Sequence, residues 1–166
     1  MTIETLFGPE TIPSKPRSIK FRVIKPIFET LEVNEDITRY ISPKERYTSP
    51  QQVFETFFFL NNETKEYFFA LHLDGKNRIV AIEVVSMGSL NQSIVHPREV
   101  FKTALLSSAA AIILVHNHPT GDPSPSREDL EITRRLREAG ELLGVKVLDH
   151  IIIGETFLSF VTQGLM

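Results

Sequence analysis

A short apolar run without polar breaks, residues 109–115, leads directly into His116-Asn117-His118-Pro119. A run of this kind is typical of a strand buried on both faces, as in the centre of a parallel or mixed sheet. Side chains two residues apart on an extended chain point to the same side. We therefore expect His116 and His118 to converge at the carboxyl end of a central strand, where open α/β sheets commonly bind ligands.

Capping and turn signals around this run predict a regular order of elements. Ser49, Pro50 and Gln52 mark a helix start, and Asp74-Gly75 marks a hairpin turn. Ser126 can cap a further helix that ends near Gly144. The pattern predicts helices over residues 50–59, 97–108 and 127–143, and strands over residues 66–73, 78–87, 109–115, 145–153 and 156–161. This order indicates an α/β or α+β domain with a mixed sheet flanked by helices.

The first part of the chain lacks this regular pattern. Residues 1–47, punctuated by Pro9, Pro13 and Pro16, predict an N-terminal extension with one extended strand over residues 18–27. Residues 48–166 then form the domain. The start does not resemble a signal peptide, and no apolar run is long enough to span a bilayer. We therefore expect a cytoplasmic protein without a membrane partner.

The composition limits both the class of protein and the kinds of active site that the chain can form. Hydrophobic residues make up 42% of the 166 residues and charged residues 23%, which is typical of a globular domain. The formal net charge of −3 disfavours a large nucleic-acid surface, because such surfaces usually carry a basic excess. There is no cysteine, which excludes disulfides, a thiolate zinc site and a cysteine nucleophile. Any metal must bind His, Asp or Glu.

Asp129 is the natural third partner of the two histidines. It lies eleven residues after His118, in the first turn of the predicted helix, beyond a loop that is restricted by three prolines. Two His and one carboxylate form the open three-ligand set of a catalytic zinc, which leaves a position for water. Taken alone, Asp129 is more typical of a solvated carboxylate at a helix N-terminus, and Ser126 of a simple N-cap; the metal interpretation depends on the conjunction of these residues with the two histidines.

The spacing of these residues resembles the signature of a known superfamily. His116-x-His118, seven intervening residues, then Ser126-x2-Asp129 is similar to the JAMM motif of the MPN/JAB metalloproteases. The stretches His96-Pro97-Arg98-Glu99-Val100, Gly121-Asp122-Pro123 and Leu148-Asp149-His150 resemble its RadC branch. The resemblance implies the layered, cytidine-deaminase-like MPN/JAB fold, with one Zn²⁺ on His116, His118 and Asp129.

The resemblance also implies a glutamate upstream that acts as general acid and base, and here there are two candidates. Glu66 begins a predicted strand and matches the superfamily position, so it is preferred over Glu83. If the hairpin turns near Gly75, Glu66 lies opposite about Ser86, at the open end, and Glu83 lies deep in the strand opposite about Phe69. Glu66 would then activate a zinc-bound water for amide hydrolysis and return the proton to the leaving amine.

The remaining polar candidates have weaker roles. The resemblance assigns Ser126 to the oxyanion, with helix capping as the equal alternative. His72 shares a strand face with Glu66 but is six residues away, roughly 20 Å, which is too far to join the site. His96 precedes a proline and predicts a cap or turn. Asp149-His150 predicts either partners for the imidazole ligands or plain packing.

The function that these features predict is zinc-dependent hydrolysis of a peptide or protein substrate. A DNA-associated protein or metal-dependent nuclease linked to DNA repair is the first alternative. Residues 1–47 do not resemble the helix-hairpin-helix region common in RadC proteins, and Asn117 replaces the Ser or Thr of the deubiquitinating members. A non-catalytic MPN interaction domain is the second alternative. Edge strands of the sheet would also permit a dimer.

Overall fold

The computed structural model describes residues 46–88 and 95–166, so the predicted extension lies almost entirely outside the described residues. The described helices are α1, Pro50–Phe57, followed by a 3-10 turn, Phe58–Asn62; α2, Pro97–Leu106; and α3, Arg127–Leu143. The described strands are β1, Glu66–Leu73; β2, Ile79–Gly88; β3, Ala111–Asn117; β4, Lys146–Ile153; and β5, Phe157–Ser159. None of the described helices is long and apolar enough to cross a membrane.

The five strands form one mixed sheet in the order β2-β1-β3-β4-β5. Only the β3–β4 pair is parallel, because α3 provides the crossover between them. Two apolar layers cover the sheet. One contains Val53 and Phe57 of α1, and the other contains Phe101 of α2 and Leu136 of α3. The predicted α/β class with a mixed sheet flanked by helices is confirmed, and β3 is buried along its whole length.

The ends of the helices follow the sequence signals. Ser49 and Gln52 form a reciprocal capping box with Pro50 at the first helical position. α3 begins in the same way at Ser126. It ends at Gly144, whose φ of 72° is left-handed and therefore suits a residue without a Cβ.

β3 begins and ends two residues later than its sequence pattern predicts. Ser108 has a φ of 56°, and the Ala109 amide still bonds the Ala104 carbonyl of α2, so the chain leaves the helix only after this point. At the other end, the parallel ladder with β4 continues as far as the pair Asn117–Ile153. His116 therefore lies within the strand rather than after it.

The predicted register of the β1–β2 hairpin is wrong by up to two residues. Leu73 pairs with Ile79, as the turn requires, but Val80 and Val85 are bulged and have no opposite residue on β1. Glu83 consequently lies opposite Ala70 rather than Phe69, and Glu66 lies opposite Gly88 rather than Ser86. The two bulges account for the whole error. The prediction that Glu66 lies at the open end of the hairpin is correct.

Candidate metal centre

The two histidines converge because the strand that carries them is fixed on both sides. His116 pairs with Phe68 of β1 and with Ile152 of β4. The His118 amide donates to the Ile153 carbonyl at 2.9 Å, which keeps the chain extended one residue beyond β3. Both side chains therefore point to the face that α3 covers, as the spacing predicts.

Asp129 lies in the first turn of α3 above these rings. The His116 Nε2 atom is 3.2 Å from Asp129 Oδ1, and the His118 Nε2 atom is 3.4 Å from Asp129 Oδ2. The two Nε2 atoms are 3.0 Å apart. Within residues 46–88 and 95–166, these three residues are the only group of three or more metal-binding side chains close enough to hold an ion.

The geometry of this group fits a zinc ion. Two tetrahedral ligands with bonds of about 2.0–2.1 Å to zinc lie roughly 3.3 Å apart, close to the separations found here. His118 Nδ1 lies 2.8 Å from the Asp122 carbonyl oxygen, which can only accept, so in the neutral ring Nδ1 carries the hydrogen and Nε2 is bare. His118 Nε2 therefore faces the Asp129 carboxylate and His116 Nε2 without a hydrogen of its own. A bound cation would stabilise this arrangement.

The loop that holds His118 is docked on the turn between β4 and β5. The Gly121 amide bonds the His118 carbonyl, and the Glu155 amide bonds the Gly121 carbonyl. Gly154 packs so closely on this loop that an added Cβ would overlap the Gly121 carbonyl oxygen. These backbone contacts hold the Gly121–Asp122 peptide, which directly precedes the Asp122 carbonyl that accepts from His118.

Ser126 positions the carboxylate of Asp129. The Ser126 amide and hydroxyl donate to Asp129 Oδ2 at 2.7 and 2.6 Å, and the Ser126 oxygen accepts from the Asp129 amide at 3.1 Å. The capping prediction for Ser126 is confirmed. These contacts also orient Asp129, because the bonded Oδ2 leaves Oδ1 directed at His116. The oxyanion role stays a prediction.

Burial and hydrogen bonding act in opposite directions on the charges of the centre. Burial raises the pKa of the Asp129 carboxyl, but its contacts with His116 and His118 outweigh that effect and hold the pKa well below the usual range. Burial also opposes protonation of His118, yet the bond to Asp129 leaves its pKa raised. Burial lowers the pKa of His116. The centre therefore combines an ionised carboxylate with a neutral buried imidazole, as a metal ligand set requires.

The two glutamate candidates lie in different surroundings. Continuing the β1–β3 register past Phe68 and His116 places Glu66 opposite His118, on the same face. Its charge is a small effect that opposes the lowering of the His116 pKa by burial and adds to the contacts that raise the pKa of His118. Glu83 instead accepts a short hydrogen bond from Thr103 of α2 and lies 3.9 Å from His72. The structure thus brings Glu66, and not Glu83, to the centre.

Besides Ser126, only His150 among the weaker candidates contacts the centre. Its Nε2 atom is 2.8 Å from His116 Nδ1, and its Nδ1 atom is 2.6 Å from the Thr133 hydroxyl. Asp149 bonds Ser159 and the amides of His150 and Val161 instead. His72 is remote, as its position along β1 predicts. His96 caps α2 by accepting from the Arg98 amide, which confirms the capping prediction.

Two residues around the centre were missed by the sequence reasoning. Thr133 follows Asp129 by four residues on the same helix face, a spacing that is itself a signal of contact. Asn117 is fully buried between the two histidines. Its amide oxygen accepts from the Tyr67 amide at 2.8 Å, and its Nδ2 donates to the Lys65 and Leu60 carbonyls at 3.0 and 3.1 Å. Asn117 therefore holds the backbone on both sides of Glu66.

Comparisons with known proteins agree with this arrangement. A family model described as a RadC-like JAB domain matches residues 47–165. A UPF0758 protein of Geotalea uraniireducens is 70% identical over 124 residues, which are 74% of this chain and 54% of the relative. A UPF0758 protein of Geobacter sulfurreducens is 67% identical over the same shares. One of Methanosarcina mazei is 57% identical over 114 residues, 68% of this chain and 50% of the relative.

This chain spans about half the length of the curated relatives that it matches. Their shared name states no activity. The JAB family is metal-dependent and often hydrolytic, and the described residues include a His-His-Asp group that can hold a metal. Because the family model covers most of the chain and the relatives are well over half identical, the chain belongs to the RadC-like JAB domain family.

Proposed function

We propose that this chain is a zinc-dependent hydrolase that cleaves amide bonds in a peptide or protein. The observation that carries the proposal is the convergence of His116, His118 and Asp129, with Glu66 opposite His118 on the same face. His and carboxylate ligands in a tetrahedral set suit zinc better than magnesium or calcium, which prefer oxygen ligands alone. When bound, zinc supplies a Lewis acid and lowers the pKa of a coordinated water towards neutrality.

The protein residues have distinct tasks in this reaction. His116, His118 and Asp129 would hold the ion. The Glu66 carboxylate would take a proton from the attacking water and deliver it to the leaving nitrogen of the scissile amide. Ser126 would keep Asp129 oriented through its two bonds to Oδ2. Asn117 would hold the backbone at Lys65 and Tyr67, and so fix where Glu66 begins β1.

The test compares two glutamate variants on the same strand pair. Wild type, Glu66→Gln and Glu83→Gln are loaded with zinc and incubated with a mixed-sequence peptide library, and cleavage is read by mass spectrometry. We expect wild type and Glu83→Gln to cleave. Glu66→Gln should keep its zinc and lose roughly 100- to 10,000-fold in rate, the range for removal of a general acid or base.

Three results would count against the proposal. Full activity in Glu66→Gln would remove that residue from the chemistry. Equal losses in both variants would indicate a general structural effect. Zinc-dependent cleavage of a supercoiled plasmid in a parallel assay, with no peptide cleaved, would favour the nuclease alternative, although the net charge of −3 does not favour nucleic-acid binding.

A further inference from the structure

A chain of three buried hydrogen bonds runs from the helix that carries Asp129 to the ring of His116. The Thr133 hydroxyl lies 2.6 Å from the Asp129 carbonyl oxygen and 2.6 Å from His150 Nδ1. His150 Nε2 then lies 2.8 Å from His116 Nδ1. Thr133 is 1% exposed, and His150 and His116 are fully buried. Water therefore does not compete for these bonds.

The hydrogens in this chain can be placed by elimination. The Asp129 carbonyl oxygen can only accept, so the Thr133 hydroxyl donates its one hydrogen there. Thr133 must then accept from His150, whose hydrogen consequently lies on Nδ1. A neutral imidazole carries one hydrogen, so with that hydrogen on Nδ1 the Nε2 atom of His150 is bare. That nitrogen accepts from His116 Nδ1, and the bare nitrogen of His116 is Nε2.

This result directs the lone pair of His116 to the metal position. His116 Nε2 is the atom that lies 3.2 Å from Asp129 Oδ1 and 3.0 Å from His118 Nε2. In His118, the Asp122 carbonyl accepts from Nδ1, so the neutral ring likewise has its hydrogen on Nδ1 and a bare Nε2. In its neutral form, each imidazole therefore presents a bare Nε2 to the metal position.

The ring of His150 has little freedom to adopt another arrangement. Phe160 stacks on it with ring centroids 4.7 Å apart, and Phe68 contacts it edge-on at 5.4 Å. Its two nitrogens are thus held in line between Thr133 and His116. Because Thr133 also bonds the backbone of Asp129, one hydroxyl is linked to two of the three ligand residues, which lie on different elements.

We propose that Thr133 is a positioning residue for the metal centre, which acts through His150 to fix the ring state of His116 and so raises metal affinity. The inference rests on the proposed zinc site and deepens it. Thr133 is not one of the three ligand residues, and its hydroxyl bonds the Asp129 backbone and His150. Partners of this kind typically change metal affinity by roughly 10- to 100-fold when they are removed.

The chain offers a matched control for the decisive variant. Thr133→Val removes the hydroxyl and keeps the side-chain shape, whereas Thr133→Ser restores the hydroxyl. Thr56 in α1 is also a buried helical threonine, and its hydroxyl donates to the Gln52 carbonyl and contacts Tyr47. Thr56→Val therefore makes an equivalent change outside the centre. For wild type and the three variants, zinc dissociation constants are measured by competition with a chelator.

We expect Thr133→Val to bind zinc about 10- to 100-fold more weakly than wild type, with Thr133→Ser close to wild type and Thr56→Val unchanged. Nitrogen chemical shifts of the histidine rings in zinc-free protein should show hydrogen on Nδ1 of His116 in wild type, and a mixture of ring states in Thr133→Val. The shifts report directly on the hydrogen-bond relay, that is, the chain of bonds from Thr133 through His150 to His116, without a measurement of activity.

An affinity for Thr133→Val within about threefold of wild type would overturn the inference, as would an equal loss in Thr56→Val. If wild type binds no zinc, the proposed function fails. The ring shifts then decide the relay on their own: a His116 ring state that is unchanged in Thr133→Val overturns it, and one that changes supports it.

Discussion

His116 and His72 lie on adjacent strands and point to the same buried face of the sheet, beneath α2 and α3. His116 pairs with Phe68 near one end of β1, and His72 pairs with Ile112 near the other. Each is almost completely buried, and each has a carboxylate within 4 Å. The residue types are alike, yet only the His116 cluster can hold a metal ion.

The difference lies in what surrounds each Nε2 atom. The Ser107 hydroxyl donates to the Ala104 carbonyl and therefore accepts from His72 Nδ1 at 2.8 Å, which leaves His72 Nε2 bare. Glu83 is 3.9 Å from that nitrogen, beyond hydrogen-bond length, and no partner among the described residues reaches it. His116 Nε2, in contrast, meets both His118 and Asp129.

The comparison shows that burial of a histidine beside a carboxylate does not make a metal centre. Burial lowers the pKa of His72 to about 4 and raises that of Glu83, so this pair tends towards neutrality. At the metal centre, the contacts of Asp129 overcome the effect of burial and keep the carboxylate ionised. Convergence of a third donor, supplied here by His118, separates a candidate centre from a packed pair.

The largest effect that we expect comes from removing that third donor. His118→Ala should reduce zinc affinity on the order of 1000-fold, because the binding energy of a three-ligand zinc site is shared among few ligands. His72→Ala should leave zinc binding unchanged, although it also removes a buried imidazole. Elemental analysis after gel filtration measures both. About one zinc per wild-type chain, lost only in His118→Ala, supports the comparison; zinc retained in His118→Ala, or lost in His72→Ala, contradicts it.

Asn117→Ala should have a smaller effect, on the free energy of unfolding rather than on zinc binding. The change leaves the Tyr67 amide and the Lys65 and Leu60 carbonyls without their side-chain partner, which should cost about 3 kcal/mol of unfolding free energy. Hydrogen exchange at the Tyr67 amide should become faster, while zinc is retained. In the cluster of His72, Glu83 and Ser107, Ser107→Ala removes two bonds. The Ala104 carbonyl keeps the Ala109 amide as a donor, so only His72 loses its partner and the cost should be about 1 kcal/mol. Equal costs, or an unchanged Tyr67 amide, would show that Asn117 does not anchor β1.

Much of this arrangement follows from the sequence because its determinants are local. The spacing of His116 and His118 on an extended strand defines their shared face, and Ser126 with Asp129 forms a capping box over four residues. The hairpin turn is also local, and Leu73 pairs with Ile79 as expected. The bulges at Val80 and Val85 carry no glycine or proline to reveal them, so the register beyond each could not be predicted.

The relay through Thr133 depends on contacts that are distant in sequence. His150 meets His116 because β3 and β4 are parallel neighbours, a relation that α3 creates and that no short motif contains. Asn117 likewise reaches residues 50 or more positions earlier. Sequence reasoning could propose Asp149 and His150 together as partners of the ligands, but only the fold shows that Asp149 turns instead to Ser159.

The smallest effect concerns the acid sensitivity of the His72 cluster. The unfolded chain protonates His72 near its ordinary value of 6.5, whereas the folded protein does so at about 4. Its contribution to stability is therefore complete above pH 6.5 and is lost as the pH falls towards 4. Burial raises the pKa of Glu83, so Glu83 affects the unfolding free energy with the opposite sign. Its contribution to the stability of the protein is lost as the pH rises above 4.5.

Comparison with His72→Gln isolates the histidine, because Glu83 and the metal centre are present in both proteins. Between pH 7 and pH 4.5, the unfolding free energy of wild type should fall by about 2 kcal/mol more than that of His72→Gln. Urea denaturation at a series of pH values measures the difference. Parallel curves would mean that His72 titrates normally in the folded protein. Parallel curves would also contradict the contrast between His72, a neutral buried imidazole, and His116, whose Nε2 faces the metal position.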